Sequence, residues 1–284
     1  MMKSYPVEAV GNTFLLVDQR ESGDSDWSSV ALDMCWGADR SRAACDGLLV
    51  LVSGEPLRMR MFNPDGTEDF CGNGLLCTAA YAWETGAVLQ TAFTIEHHGI
   101  VVPAKLDVSG GSVQRCTVLL PQPRFSAESI PVVTDHTADD PFELALPDVP
   151  YVLRPVSTGT AHAIVIAGQG VSEEEFRTWS PRIECHPVFP ERTTVDWVTP
   201  LGENRVRVRT WERGVGETLG CGTGAAAVAA TSFGMLHSGA LDVESKGGVL
   251  RAEWPGEGPV RISGRAIVPK RTGAFTSAAK PVGE

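Results

Sequence analysis

Cys71-Gly72-Asn73-Gly74-Leu75-Leu76-Cys77-Thr78-Ala79-Ala80-Tyr81-Ala82-Trp83 and Cys221-Gly222-Thr223-Gly224-Ala225-Ala226-Ala227-Val228-Ala229-Ala230 are two renderings of one phrase. Each sets a cysteine in a Cys-Gly-x-Gly frame and runs on into small and apolar residues. Alanine-rich runs of about ten residues that start on glycine-threaded turns predict short buried helices. The first should end at Gly86 and the second near Gly234. Each cysteine then stands at a helix N-terminus. The frames lie 150 residues apart, about one domain length, so one arrangement is expected twice.

Around the first helix, Thr13 to Asp18, Leu48 to Val52, Ala92 to Glu96 and Thr117 to Leu120 have the length and branched content of strands. Asn63-Pro64-Asp65-Gly66 is a tight-turn signal leading into the cysteine frame. The second half repeats the pattern with Ala163 to Ile166, Thr194 to Val198, Arg205 to Thr210, Val249 to Glu253 and Val260 to Ile262. The fold class expected is α+β: two pseudo-symmetric domains, each a curved, mostly antiparallel sheet around a central helix. Residues 1–120 form the first domain and 121–267 the second, and strand-like residues after Gly264 either finish the second domain or return to the first. Between them, Pro121 to Pro150 is rich in proline and acid and lacks a clear strand pattern.

The chain has 284 residues, 43% of them hydrophobic, and a net charge of −11. No basic block is present to neutralise a phosphate backbone, so nucleic acid is not an expected partner. No apolar stretch reaches the roughly 18 residues of a membrane span, and the first residues lack the pattern of a signal peptide. The cytoplasm is the expected location. Cysteines 35, 45, 71, 77, 116, 185 and 221 form an odd set without CxxC pairs or zinc-ligand spacing. Reduced thiols and no metal are expected.

Unpaired N–H groups at a helix N-terminus, with glycines that let a ligand approach the backbone, make a carboxylate cradle. The positive helix end is also expected to lower a thiol from its free pKa of about 8.5. Two such ends facing each other across a cleft would hold one α-carboxylate and set a sulfur on each side of the α-carbon. One sulfur then removes the α-proton as thiolate while the other donates a proton to the opposite face. The two titrate as a pair. Carbanion chemistry of this kind often uses pyridoxal phosphate, but no segment argues for it, and no cofactor is expected. Taken singly, Cys71 or Cys221 reads as a small buried apolar residue; the duplicated frame reverses that weighting. Cys35, Cys45, Cys77, Cys116 and Cys185 lack the frame and read as core.

Gly11-Asn12-Thr13-Phe14, Asn63-Pro64-Asp65-Gly66-Thr67-Glu68 with Cys71-Gly72-Asn73-Gly74, and Glu212-Arg213-Gly214-Val215-Gly216-Glu217-Thr218 with Cys221-Gly222-Thr223-Gly224 carry a resemblance. Over nearly its whole length the chain resembles diaminopimelate epimerases, pyridoxal-free two-thiol isomerases with a site between two domains, which implies that the chain end, about 268–284, returns to the first domain. The resemblance implies Cys71 and Cys221 as the catalytic pair. It implies Gly72, Asn73, Gly222 and Thr223 as carboxylate-binding turns, and Asn12, Asn63, Glu212 and Arg213 as substrate-binding side chains. Read alone, Asn12 and Asn63 are turn residues, and Glu212 and Arg213 a surface ion pair.

Three positions depart from the family. Asp46 is followed by Gly47 where glutamine is usual, Gly159-Thr160-Ala161-His162 stands for Gly-Asn-Pro-His, and Glu191-Arg192-Thr193-Thr194 for Glu-Arg-x-Asn. A threonine hydroxyl offers one donor on a short reach where an amide offers two. Gly47, Thr160 and Thr194 are therefore candidate specificity positions. The expected activity is racemisation or epimerisation of an amino acid other than meso-diaminopimelate, a small-molecule partner, with a homodimer as a candidate assembly. Authentic diaminopimelate epimerase is the first alternative, since bridging water can replace lost amides. Proline racemases, phenazine-pathway isomerases and a non-catalytic amino-acid-binding protein on the same scaffold are the others. Of the histidines, His97-His98 before Gly99 reads as an exposed turn and His162 as a structural hydrogen-bonding residue. Trp211, beside Glu212, is a candidate border of the pocket.

Overall fold

A computed structural model describes residues 2–36, 44–52, 54–232 and 239–269. The first half runs β1 (Tyr5–Ala9), β2 (Asn12–Asp18), α1 (Gln19–Ser22), α2 (Trp27–Met34), β3 (Gly47–Val52), β4 (Leu57–Phe62), α3 (Gly72–Glu84), β5 (Ala92–His97), β6 (Ile100–Ser109) and β7 (Ser112–Leu120). After β8 (Leu144–Ala145) come β9 (Val152–Ser157), β10 (Ala161–Ile166), α4 (Glu173–Glu184), β11 (Thr194–Gly202) and β12 (Arg205–Glu212). The chain continues with β13 (Gly216–Thr218), α5 (Gly222–Ser232), β14 (Ala240–Ser245), β15 (Gly248–Glu253), β16 (Val260–Gly264) and β17 (Ala266–Ile267). Every strand anticipated from the sequence is found.

Pairing order reveals the repeat. From β1 to β7, neighbours pair antiparallel, parallel, antiparallel, parallel, antiparallel, antiparallel. The series β9, β10, β11, β12, β14, β15, β16 repeats those six senses in the same order. Each parallel step needs a crossover, and helices fill all four: α1 with α2, α3, α4 and α5. The halves join where β16 pairs antiparallel with β7, Val260 opposite Leu120 through Gly264 opposite Cys116. Beyond that, Ala266–Ile267 pair with β1. Residues 270–284, most of the expected C-terminal return, lie outside the described residues, as does the expected second helix end at Gly234.

A helix that is apolar or small all round belongs in a core. In α3 every residue but Trp83 is buried, and α5 is buried from Gly222 to Ser232. Both sit in one continuous core with strands of both halves. On the outside, α2 covers β3 with Trp27 and Ala31, and α4 packs Phe176 and Ile183 near Trp197 of β11. The central helices thus meet end to end in the middle of the molecule with their glycine-rich N-termini in contact.

Candidate active site

Cys71 is the N-cap of α3. Its backbone is extended, and its Sγ accepts from the Gly74 N–H at 3.2 Å. Cys221 does the same for α5, with Gly224 N at 3.3 Å. The sulfur serves as the capping acceptor that Ser or Asp usually provides. Glycine at the next position follows from space: a Cβ on Gly72 would lie 3.2 Å from the Gly222 carbonyl carbon and the Thr223 nitrogen. One on Gly222 would fall 2.8 Å from Asn73 Oδ1. Asn73 ties the contact, its Nδ2 donating to Asn12 Oδ1 at 2.5 Å and to the Gly220 carbonyl at 3.2 Å.

A narrow cavity of about 60 Å³ lies over this junction. Asn12, Asn63, Gly72, Asn73, Glu212, Gly222, Thr223 and both cysteines line it, so all but one of the residues expected to act or bind share one cleft. Phe14, Asp46, Met61, Phe70, Val215 and Thr218 complete the wall. The exception is Arg213, whose Nη2 donates to Asp69 Oδ2 at 3.1 Å, bridging the halves beside the cavity. Glu212 is fixed by Thr218 Oγ1, which donates to its Oε1 at 2.6 Å across the β12–β13 hairpin. Behind it, buried Glu184 accepts from the Gly214 N–H and from Trp211 Nε1. Trp211 is therefore part of the support and not a wall of the cavity.

None of the three specificity positions reaches the cavity directly. A Cβ at Gly47 would strike the Phe62 carbonyl oxygen at 2.7 Å and Met61 Cε at 2.9 Å, so Met61 occupies the direction a longer side chain would take. Thr194 Oγ1 accepts from the Arg213 N–H at 3.2 Å. Thr160 belongs to a buried hydroxyl chain. Thr223 Oγ1 is 3.2 Å from Cys221 Sγ, Thr160 Oγ1 is 3.2 Å from Thr223 Oγ1, and His162 Nε2 is 2.9 Å from Thr160. The chain ends at Asp196, whose Oδ2 lies 2.7 Å from His162 Nδ1 and whose Oδ1 accepts from Thr210 at 2.7 Å.

Cys71 has a different neighbour. Its backbone N–H donates to His97 Nε2 at 2.9 Å, and His97 Nδ1 donates to the Met59 carbonyl at 3.0 Å. His97 is therefore no exposed turn. It is buried, stacked on Phe70 with ring centroids 4.8 Å apart, and burial pushes it down to about 4, so the ring is neutral. Period-two alternation along β5, with Ile95 and His97 inward, is the signal that finds it. Asp46, Asp69 and Asp196 carry no such mark, because their partners lie in distant strands and turns.

The expected lowering of the thiols is reversed. Burial pushes Cys71 up to about 12 despite the Gly74 N–H, and Glu212 and Asp69 raise it further. Cys221 rises well above its ordinary value for the same reason, helped by Glu212 and Asp196. Loss of water outweighs two N–H dipoles. Burial likewise lifts Glu212 to about 7, with Asp196, Asp46 and Asp69 adding to the rise against the Thr218 hydrogen bond. Among the described residues no group of three or more His, Cys, Asp and Glu is arranged to hold a metal ion, and no helix is long and apolar enough to cross a membrane.

The family model for diaminopimelate epimerase matches residues 155–267. The chain is 35% identical over 272 residues to diaminopimelate epimerase of Caldanaerobacter subterraneus subsp. tengcongensis, covering 93% of this chain and 96% of that one. It is 35% identical to the enzyme of Pelotomaculum thermopropionicum over 267 residues, covering 90% and 93%. A solved structure of a probable proline racemase from Agrobacterium radiobacter K84 shares the fold at a TM-score of 0.70 and 15% identity, covering 99% and 95%. Fold and relatives together define the class: the chain is an isomerase, an epimerase or racemase. It belongs to the diaminopimelate epimerase family.

Proposed function

We propose that the chain inverts the α-carbon of an amino acid without a cofactor, with Cys71 and Cys221 exchanging the roles of base and acid. The observation that carries this reading is the meeting of two cysteine-capped helix ends over one small cleft. The N–H groups of Gly72, Asn73, Gly222 and Thr223 would receive the α-carboxylate, and their dipoles would stabilise the charge that develops as the α-proton leaves. Glu212 would receive the α-ammonium, with Asn12 and Asn63 orienting it. Burial of the two thiols disfavours a thiolate. A substrate cation entering beside the sulfurs supplies the counter-charge, so one thiol releases its proton to solvent as the substrate binds and the other keeps its proton for donation. We read 1–120 with the C-terminal return, and 121–267, as the two domains whose closure dries the cleft, and the reduced thiols suit the cytoplasm.

The substrate we favour is an amino acid other than meso-diaminopimelate. Neither Thr160, Thr194 nor Gly47 offers an amide to a second amino-acid head, and Arg213 is engaged by Asp69. Authentic diaminopimelate epimerisation is the second reading, supported by the names of the matching relatives. Incubation of a broad panel of L-amino acids and both diaminopimelate stereoisomers in D₂O under reducing conditions, with chiral analysis, decides between them. Cys71→Ser and Cys221→Ser should each lower racemisation at least about a thousandfold, because an alkoxide is far harder to form than a thiolate. Near-normal turnover in either variant would remove that cysteine from the reaction.

A further inference from the structure

We propose that the substrate carries a second positive charge on its side chain and no second carboxylate: a basic α-amino acid. The inference rests on the two-thiol reading and concerns only what the cleft selects. Among the described residues lining the cavity there are two carboxylates, Asp46 and Glu212, and no lysine, arginine or histidine. One carboxylate suffices for the α-ammonium, and the helix ends take the α-carboxylate. Asp46 is left over.

Asp46 is firmly held and half free. Its Oδ2 accepts from Thr13 N at 2.6 Å and from Thr13 Oγ1 at 3.3 Å, while Oδ1 has no hydrogen-bond partner among the described residues. Asn73, on the same wall, turns its Oδ1 to the facing helix end, where it is buried and has no donor. A carboxylate oxygen on the wall of the cleft without a protein donor accepts readily from the N–H groups of a ligand. Ammonium and guanidinium groups bring only donors. A second carboxylate would bring only acceptors, and Arg213, the cation beside the cavity among the described residues, is already paired with Asp69. That pair is tied to the site by sequence, since Asp69 precedes the lining residue Phe70 and Arg213 follows Glu212. Met61, Phe14 and Phe70 give the cavity an apolar wall against which a methylene stem can lie.

The test measures initial rates of α-deuterium incorporation in D₂O for L-ornithine, L-lysine and L-arginine against L-norleucine, L-glutamate and LL-diaminopimelate. The basic amino acids should exceed the others in kcat/KM by at least about tenfold, the scale of one partly desolvated ion pair. Asp46→Asn should shrink that preference by about tenfold, chiefly through KM for the basic substrates. Asp69→Asn, which releases Arg213, should move the preference towards LL-diaminopimelate. A wild-type preference for norleucine, glutamate or diaminopimelate overturns the assignment while leaving the two-thiol reading intact. Absence of exchange with every compound overturns both.

Discussion

Glu212 shows what a single side chain contributes. Its proton affinity, raised to about 7 by burial and neighbouring carboxylates, lies well above the ordinary 4.5. Between those values the folded protein holds more protons than the unfolded chain. The contribution of Glu212 to stability therefore falls as pH rises through that window. Glu212→Gln should flatten the dependence of Tm on pH between about 4.5 and 7, as followed by thermal melts in a buffer series. The same variant should lose the acid limb of activity near pH 7 and about ten- to a hundredfold in kcat/KM, the value of a charge-assisted hydrogen bond. An acid limb that persists in the variant would assign it to another group. At this scale the sequence was informative where residues sit inside a motif, as Cys71, Cys221, Asn73 and Glu212 do. It gave His97 as an exposed turn against its buried place in β5, and was silent on the roles of Asp46 and Asp196, whose partners lie 33 and 34 residues away.

At the scale of the element, the helix end is the unit of design. Gly72 and Gly222 are each small because the other helix fills the space a side chain would need. Gly222→Ala would press a methyl against Asn73 Oδ1, at 2.8 Å, and against the Asn73 nitrogen at 3.0 Å. The helix itself loses nothing by the exchange, since alanine is the better helix former. The variant should therefore keep a Tm within a few degrees of the parent while kcat drops by about a hundredfold, because the helix ends can no longer approach. Circular dichroism melts and single-turnover kinetics separate the two effects. Both helices were legible from their alanine-rich runs. In contrast, β6 and α4 were not anticipated, although the capping box of Ser172 and Glu175 marks the start of α4. In β6 the buried Val102, Ala104 and Leu106 alternate with exposed polar, proline and apolar positions, a weaker trace than an alanine-rich run.

For the whole molecule, the lesson is that duplication of a frame predicts duplication of a fold. The 150-residue echo corresponds to six strand pairings repeated in order, and the two central helices share one core. The joint of β7 with β16 could not be read, since no local pattern specifies which edges meet, whereas the pairing of β17 with β1 lies just before the expected return of the chain end. Repetition also stops short of identity: a hydroxyl chain leads from Cys221 to His162 and Asp196, whereas Cys71 faces a neutral His97 through its backbone alone.

That unlike pair of surroundings meets a rule no enzyme can break. For a substrate with one stereocentre, mirror-image forms are equal in free energy, so kcat/KM must be the same from either hand at every pH. Any inequality between the thiols can only divide differently between turnover and saturation. Thr160→Val, which cuts the hydroxyl chain, should change kcat and KM by different factors for the two hands while their kcat/KM values stay equal to each other. Progress curves started from each enantiomer would measure this. On the two-thiol reading, the hydroxyl chain would set which enantiomer the enzyme holds longest.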